Sequence, residues 1–473
     1  MSVNACFING RWVETADRLQ VINPWSGEAV GEASLAGEAE WEAAITAAQA
    51  AAPALKKMSG LERRQLLEAL AAGVQARKEE LAQTIMAEGG KPITYARAEM
   101  ARGVTTLTLA AEEAARLGGE SLPLDLAPGM AGRWGVTRRF PVGPVLGITP
   151  FNFPFNLAAH KVGPALAAGN PILLKPPSKT PLTALKLAEI YEAAGLLPGG
   201  LQVLPSTSGL AEKAVGDDRL KALSFTGSAA VGWRLKNLAG RKKVILELGG
   251  NAAVIVDAGC DLKWAARRCA IGAFAHAGQV CIAVQRILVH REIYDDFKAL
   301  FLDAISREIV AGDPAREETV IGPFFEAAAA ERVRRWVREA VDGGARLAEG
   351  NLGSGNLMPA VVLENVRPEM KVWCNEVFGP VAILTPFGDF TQALEMANDT
   401  DYGLQAGVFT ASLAHAWQAF ETLEVGGVIV NDAPVFRQDH MPYGGVKASG
   451  LGREGVRYAV EELTEIRLLA LKP

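Results

Sequence analysis

From about Pro141 onward, short apolar runs alternate with amphipathic stretches, and this alternation limits the fold of the 473-residue chain more than any other feature. The runs VGPVLGIT, PILLK, LQVL, ALSFT, KVILEL and AVIV read as buried strands, with helices expected over Thr183–Ala194, Gly209–Val215 and Ala229–Leu238. A second alternating block spans about Leu262 to Asn431. Its strands are VQRILVH, PAVVLE, VAILTPF, AGVFT and GGVIVN, and its helices include Asp295–Val310, Glu326–Asp342 and Phe390–Ala397. Strands alternating with helices of ~10–15 residues make βαβ units and hence parallel sheets. Two such blocks predict an α/β chain with two doubly wound domains and a cleft between them. Ahead of them stand short strand pieces (CFING, RWVET, LQVINP) and Ala-rich helices over Glu38–Lys57, Gly60–Gly89 and Ile93–Leu117, with apolar residues at three- and four-residue spacing. The tail, TEIRLLAL, is one more strand. Its partner must lie earlier in the chain or in another subunit.

Composition narrows the function classes. Lys and Arg number 48 against 53 Asp and Glu, a net charge of −5, so there is no electrostatic footprint for nucleic acid. Phe140 to His160 carries no Asp, Glu, Lys or Arg and is long enough to span a bilayer. It also contains Pro141, Pro144, Pro150 and Pro154, which remove backbone donors and break any helix, so it reads as buried strand and loop, with no membrane partner expected. Five cysteines, Cys6, Cys260, Cys269, Cys281 and Cys374, with no C-x-x-C pair, form neither a disulfide framework nor a zinc ribbon. No metal is expected, and the cysteines fit a reducing compartment. The opening MSVNACFING has no basic region followed by an apolar stretch, and a cytoplasmic location is expected.

Several segments carry chemistry, each beside a plainer reading. Gly450, Gly452 and Gly455 spell G-x-G-x-x-G, but they follow Gly-Val-Lys-Ala-Ser near the end of the chain and lack the strand that the dinucleotide fingerprint needs. They read as a loop and helix start. In Ala222–Ser228 an apolar strand runs into Gly227-Ser228 and then a helix, where amides and the capping Ser228 hydroxyl would receive a pyrophosphate; the alternative is an ordinary capped turn. Cys281, in Gly-Gln-Val-Cys, is either a positioned nucleophile or a buried apolar cysteine. Glu247 closes the strand KVILE before Gly249-Gly250, where a carboxylate serves as a base for water or simply meets solvent. Asn152, in Pro150-Phe151-Asn152-Phe153-Pro154, donates to a developing oxyanion or bonds its own loop.

Taken in order, the segments PFNFP, LLKPP, FTGS, ELGGN, GQVC, NEVFGP and MPYGGVKASG resemble the aldehyde dehydrogenase superfamily over about residues 5–473. The pattern is most similar to the lactaldehyde, phosphonoacetaldehyde and non-phosphorylating glyceraldehyde-3-phosphate dehydrogenase branch. The resemblance implies Cys281 as nucleophile, Asn152 as oxyanion donor and Glu247 as the base that hydrolyses the thioester. It implies cofactor contacts from Thr149, Pro150, Phe151, Lys175, Ser178, Lys179, Phe225, Gly227, Ser228, Glu376 and Phe378. It implies a dinucleotide-binding domain (1–118 and 140–249), a catalytic domain (250–445) and an oligomerisation arm (119–139 and 446–473), in a homodimer or homotetramer. The implied reaction is NAD(P)-dependent oxidation of an aldehyde to a carboxylic acid through a cysteine thiohemiacetal and an acyl-thioester. Members that pass the acyl group to coenzyme A lack the acid at the Glu247 position, and a binding homologue without catalysis would have no need to retain Cys281, Glu247 and Asn152.

Two specificity features depart from or extend the family pattern. Ser178 stands where strongly NAD-preferring relatives carry an acid, and Lys179 adds a cation beside it, so NADP is expected to be accepted, with NAD also used. Arg102, His160 and Arg437 are candidates for contact with an anionic group on the substrate. The alternative for Arg102 is a salt bridge to a nearby acid such as Glu99. Val280 replaces an arginine found in the glyceraldehyde-3-phosphate enzymes.

Overall fold

Eight strands form the first sheet, in spatial order Gly450–Leu451, Lys243–Glu247, Ala222–Thr226, Val145–Ile148, Ile172–Lys175, Leu201–Val203, Cys6–Ile8 and Arg11–Val13. The five from Lys243–Glu247 to Leu201–Val203 run parallel. Val145–Ile148 and Ile172–Lys175 are buried along their whole length, as expected for strands covered on both faces. The computed structural model describes residues 3–195 and 197–472, so the first two positions of the 1–118 range and the last of the 446–473 range lie outside the described residues.

The second sheet has seven strands in the order Arg346–Glu349, Val361–Glu364, Val381–Phe387, Val284–His290, Ala252–Val256, Gln405–Phe409 and Gly427–Val430. All but the first are parallel. AVIV therefore leaves the run of strands it was grouped with in the sequence: it pairs with Val284–His290 and Gln405–Phe409 instead of KVILE. The Gly249-Gly250 turn carries the chain from one sheet to the other, and an apolar run alone does not say which sheet it joins.

The C-terminal strand Thr464–Leu471 has its partner within the chain. It pairs antiparallel with Trp134–Pro141, from Thr464 opposite Pro141 to Leu471 opposite Trp134, and Ser121–Pro123 completes a three-stranded sheet. Gly450–Leu451, grouped with this arm in the sequence, instead pairs with Lys243–Glu247 on the first sheet. The G-x-G-x-x-G run thus supplies an edge strand and the loop before helix Val456–Glu462.

Five helices lie ahead of and beneath the site: α1 (Glu38–Lys57), α2 (Gly60–Ala76), α3 (Lys78–Gly89), α4 (Ile93–Arg116) and α5 (Asn156–Ala168). Gly60–Gly89 reads as one helix in the sequence, yet the structure breaks it at Arg77 (φ −109°, ψ 14°). The apolar spacing continues across the break, which hides it, while the Arg77 guanidinium is drawn to Glu80 and to Glu189 of a neighbouring helix. Ser59 and Glu62 form a capping box that starts α2. The uncharged segment after Phe140 becomes strand, loop and α5, every residue of which is buried. Among the described residues no helix is long and apolar enough to cross a membrane.

One face of α4, with Met100, Gly103, Leu107, Ala110 and Ala111, is buried and packs on α5. Gly103 is the point of closest approach, since a Cβ there would overlap the Phe155 ring. Both sides are buried and cannot yield cheaply. Gly103→Val should therefore cost about 2–3 kcal/mol. The expected result is a lower urea midpoint at unchanged slope, and an unshifted midpoint would show that the helices separate freely.

Candidate active site

Thr226 and Glu247 end adjacent strands of the first sheet, and Cys281 leads into a strand of the second. All three line one cavity of about 590 Å³. Ligand sites outside the carboxyl ends of parallel strands are the general pattern for such sheets.

The backbone before Cys281 turns through left-handed geometry at His276 (φ 53°), Ala277 (φ 56°) and Gly278 (φ 64°). Such conformations cost about 1–3 kcal/mol for residues other than glycine. Gln279 holds the turn: its Nε2 donates to the carbonyls of His276 (3.4 Å) and Pro323 (3.3 Å), and its Oε1 accepts the Phe325 amide (3.1 Å). The Cys281 Sγ lies 3.2 Å from the Tyr443 hydroxyl. Burial pushes the thiol up to about 12, which the Tyr443 contact only partly offsets, so the resting group is a thiol.

Asn152 reaches this loop. Its Nδ2 donates to the Gln279 carbonyl at 2.9 Å, with a second N–H left over, and its Oδ1 is buried without a partner. Its backbone carbonyl accepts from Lys91 Nζ at 2.9 Å. Lys91 also pairs with Glu99 at 2.6 Å and lies 3.4 Å from the centre of the Phe153 ring. The second Glu99 oxygen accepts the amides of Phe155 (2.9 Å) and Asn156 (3.0 Å), the first donors of α5. One carboxylate thus fixes both the Asn152 loop and the helix after it.

Glu247 is buried, and neither of its oxygens has a protein partner. Burial and then the Glu454 charge raise it well above the usual carboxylate range. Just beyond it, a Cβ on Gly250 would overlap the Cys281 carbonyl and one on Gly249 the Glu376 carboxylate, which explains two adjacent glycines. The Gly250 amide donates to Glu376 Oε1 at 3.1 Å, and burial lifts Glu376 to about 7.

Of the expected cofactor residues, Pro150, Phe151, Gly227, Ser228, Glu376 and Phe378 line the cavity. Phe151 stacks on Phe325 at 4.3 Å and meets Phe378 edge-on at 6.2 Å. Ser228 takes the N-cap position of helix Ala229–Leu238, but its hydroxyl makes no capping bond, unlike the sequence expectation. Thr149, Phe225, Lys175, Ser178 and Lys179 stand off the cavity wall. Lys175 Nζ donates to Ser178 Oγ at 2.8 Å and has no carboxylate partner among the described residues; burial lowers it to about 8. Lys179 is not a free cation, for it pairs with Glu326 at 2.7 Å. A buried ammonium without an anion, an uncommitted N-cap hydroxyl and the orphaned Thr149 hydroxyl suit a hydroxyl-rich, phosphate-bearing group. Among the described residues no cluster of His, Cys, Asp and Glu could hold a metal ion.

The substrate candidates divide. Arg102 lines the cavity, and its Nη donates to Asp439 Oδ1 at 2.7 Å rather than to Glu99, whose oxygens are committed elsewhere. Arg437 also lines the cavity, 3.5 Å over the Tyr443 ring. His160 does not reach the cavity. It is buried behind Arg437, with Nε2 at 2.9 Å from the same Asp439 oxygen, and burial lowers its pKa so that it stays neutral. Its apolar helical neighbours gave no sign of which way the ring turns. Lys91, Glu99, Gln279, Asp439 and Tyr443 are contributions that residue-by-residue reading missed. Gln279 and Tyr443 stood in quoted motifs, but the contacts that give the five their roles reach Asn152, Phe155, Pro323, His160 and Cys281, each far along the chain.

Comparison with known proteins agrees with this arrangement. The model of the Aldehyde dehydrogenase family matches residues 12–469. The chain is 44% identical over 467 residues to a 3-sulfolactaldehyde dehydrogenase of Priestia aryabhattai, covering 98% of this chain and 97% of that one. Aldehyde dehydrogenase 21 of Physcomitrella patens, solved with the reaction product succinate, superposes with a TM-score of 0.97 at 42% identity, covering 99% of this chain and 98% of that one. A glyceraldehyde-3-phosphate dehydrogenase of Methanocaldococcus jannaschii, solved with NADP, gives a TM-score of 0.93 at 37% identity, covering 98% of this chain and all (100%) of that one. With the strand order, the cavity and these likenesses together, the chain belongs to the aldehyde dehydrogenase family.

Proposed function

We propose that this chain oxidises a small aldehyde bearing an anionic group to the corresponding carboxylic acid, with NAD(P) as oxidant. The observation that carries the reading is the convergence of Cys281, Glu247 and Asn152 on one cavity, with Glu376 on one side of the nucleophile and Arg437 on the other. The Cys281 carbonyl abuts Gly250, which bonds Glu376, while its thiol meets Tyr443, which lies under Arg437.

The chemistry follows from these residues. Cys281 attacks the aldehyde carbon as a thiolate, and a carboxylate on the cavity wall, Glu247, takes the thiol proton. The spare N–H of Asn152 and the Cys281 amide stabilise the oxygen that becomes an oxyanion. NAD(P), when bound, would supply the hydride acceptor, and Glu376, Lys175, Ser178 and the amides at Gly227 and Ser228 would hold it. Once that proton has passed to solvent, the Glu247 carboxylate deprotonates the water that hydrolyses the thioester, and the cysteine thiolate leaves. Its lack of partners and its raised affinity for a proton suit a base working near neutrality.

The anionic substrate class rests on Arg102 and Arg437, whose buried Nε atoms have no partner. The relatives offer a parallel: sulfolactaldehyde, succinate and glyceraldehyde 3-phosphate all carry a negative group. The same reading makes residues 1–118 and 140–249 the cofactor domain and 250–445 the catalytic domain. It makes the chain a homodimer or homotetramer, since the edge strand Thr464–Leu471 exposes Ile466, Leu468 and Leu469, and places it in the cytoplasm, in keeping with five free cysteines.

Three outcomes are expected. Cys281→Ala should abolish oxidation and keep dinucleotide binding within a few-fold. Glu247→Gln should give a burst of NAD(P)H followed by a slow phase. In the wild type, acyl-enzyme hydrolysis should rise with pH through the raised Glu247 value, because the base works only when deprotonated, and the variant should lose that rise. A variant with unchanged steady state and no burst removes Glu247 from the role.

Arg102→Ala and Arg437→Ala should lower kcat/KM at least tenfold more for an anionic aldehyde than for a neutral one of similar size. Equal losses would sink the anion reading.

NADP should be accepted with a KM no more than ~100-fold above that for NAD, a gap of ~2.7 kcal/mol. Glu326→Gln, which frees Lys179, should lower the NADP value several-fold and leave the NAD value in place. No change would remove Lys179 from cofactor binding.

A further inference from the structure

Tyr443 stands in the loop after strand Gly427–Val430 and is buried. Its amide donates to the Glu454 carbonyl at 3.0 Å, and the Glu454 amide donates back to the Tyr443 carbonyl at 2.6 Å. Its ring packs with Ile282 and Leu404, and the Arg437 guanidinium lies 3.5 Å over the ring centre. Backbone and ring are thus both held. The hydroxyl is left aimed at the Cys281 Sγ, 3.2 Å away and its one hydrogen-bond partner among the described residues. Packing does not account for this oxygen. A phenylalanine would fill the same space, whereas a buried hydroxyl costs free energy unless it is well bonded, and a neutral thiol is a weak partner.

The contact changes character when the sulfur ionises. While Cys281 is a thiol, either group can donate. A thiolate has no proton, so the hydroxyl alone donates, and a bond to an ionised acceptor is about twice as strong. The sulfur carries charge twice in the reaction, on attack and when the thioester breaks. It is uncharged in the thiohemiacetal and thioester between. Glu247 and Glu376 oppose a negative sulfur, and Arg437 favours it. Arg453, Glu454 and Lys161 act in turn on Glu247, and His276 lies on the turn before Cys281. Among the described residues none of these groups hydrogen-bonds the sulfur, and Tyr443 does. Arg437 also favours negative charge at the phenol oxygen and so strengthens it as a donor, while burial keeps it protonated.

We infer that Tyr443 is a further catalytic residue, whose hydroxyl donates to the Cys281 sulfur in its two charged states and so favours both formation and departure of the thiolate. The inference rests on the reading of Cys281 as the nucleophile. The hydroxyl keeps its own proton throughout. On attack the thiol proton goes to Glu247 and a sulfur lone pair forms the C–S bond. On hydrolysis the electrons of that bond return to the sulfur as the carboxylic acid departs. Because the resting group is a thiol, a bond that favours the ion raises the fraction ready to attack.

The test labels Cys281 with iodoacetamide, a neutral reagent that reacts with the thiolate, and follows the labelled peptide by mass. A hydrogen bond to a charged group shifts ionisation about tenfold or more. A less stabilised thiolate is scarcer but more nucleophilic, which returns about half of that loss on a logarithmic scale. Tyr443→Phe should therefore slow labelling of Cys281 at least threefold at neutral pH, and the ratio should hold in a Glu247→Gln background. A mere structural loosening would open the site and speed the reagent, the opposite sign. A smaller loss or a gain overturns the inference, and so does a ratio that vanishes without Glu247. Placing 3-fluorotyrosine at position 443 keeps the ring and the donor and should restore the wild-type rate within twofold; failure to restore it also overturns the inference. In Tyr443→Phe, kcat/KM should fall at least threefold for anionic and neutral aldehydes alike. A loss confined to anionic aldehydes would assign the hydroxyl to the substrate's anionic group and overturn its role at the sulfur. If complete labelling of wild-type Cys281 leaves oxidation intact, the underlying nucleophile reading falls instead.

Discussion

The buried Lys91–Glu99 pair is the interaction on which the site depends. Glu99 stands on α4, accepts the first amides of α5 and is neutralised by Lys91, which also holds the Asn152 carbonyl. Five buried groups meet there: the Lys91 ammonium, the Glu99 carboxylate, the Asn152 carbonyl and the amides of Phe155 and Asn156. Burial pulls Lys91 down to about 8, and the adjacent Glu99 works against that pull. Breaking one partner of such a pair typically costs about 3–5 kcal/mol, because the other charge is left stranded. Through the Asn152 carbonyl, and Asn152 Nδ2 on the Gln279 carbonyl, the pair is tied to the turn before Cys281.

Around this anchor burial shifts the reactive groups toward their neutral forms. The Cys281 thiol is pushed up by burial, and the Glu247 and Glu376 carboxyls are raised for the same reason. The stored cost is visible at Glu247, whose two oxygens lack partners, and in the left-handed run at His276 and Ala277. Such frustration is expected where a site is arranged for a reacting complex and not for its own stability.

Much of the architecture was legible along the chain. Short buried apolar runs identified the parallel strands, and helical spacing identified α1 and α4, because these patterns are local consequences of backbone geometry. The helix break at Arg77 was not legible, since the apolar spacing runs on across it and one Arg77 partner, Glu189, lies on another helix. Nor was the sheet that AVIV joins, because every buried strand looks alike until its neighbours are known.

The site divides along the same line. Sequence by itself determined the chemical types present: a cysteine behind Gly-Gln, an acid before Gly-Gly and an amide between prolines, each in a segment whose order identified the family. Tertiary structure alone decided which charges are free. It turned His160 away from the cavity, committed Lys179 to Glu326 and gave Arg102 to Asp439 instead of Glu99. The physical reason is that a side chain's charge state and reach depend on what burial removes and which partner comes within about 3 Å. Those partners lie tens to hundreds of residues away, so no local pattern encodes them.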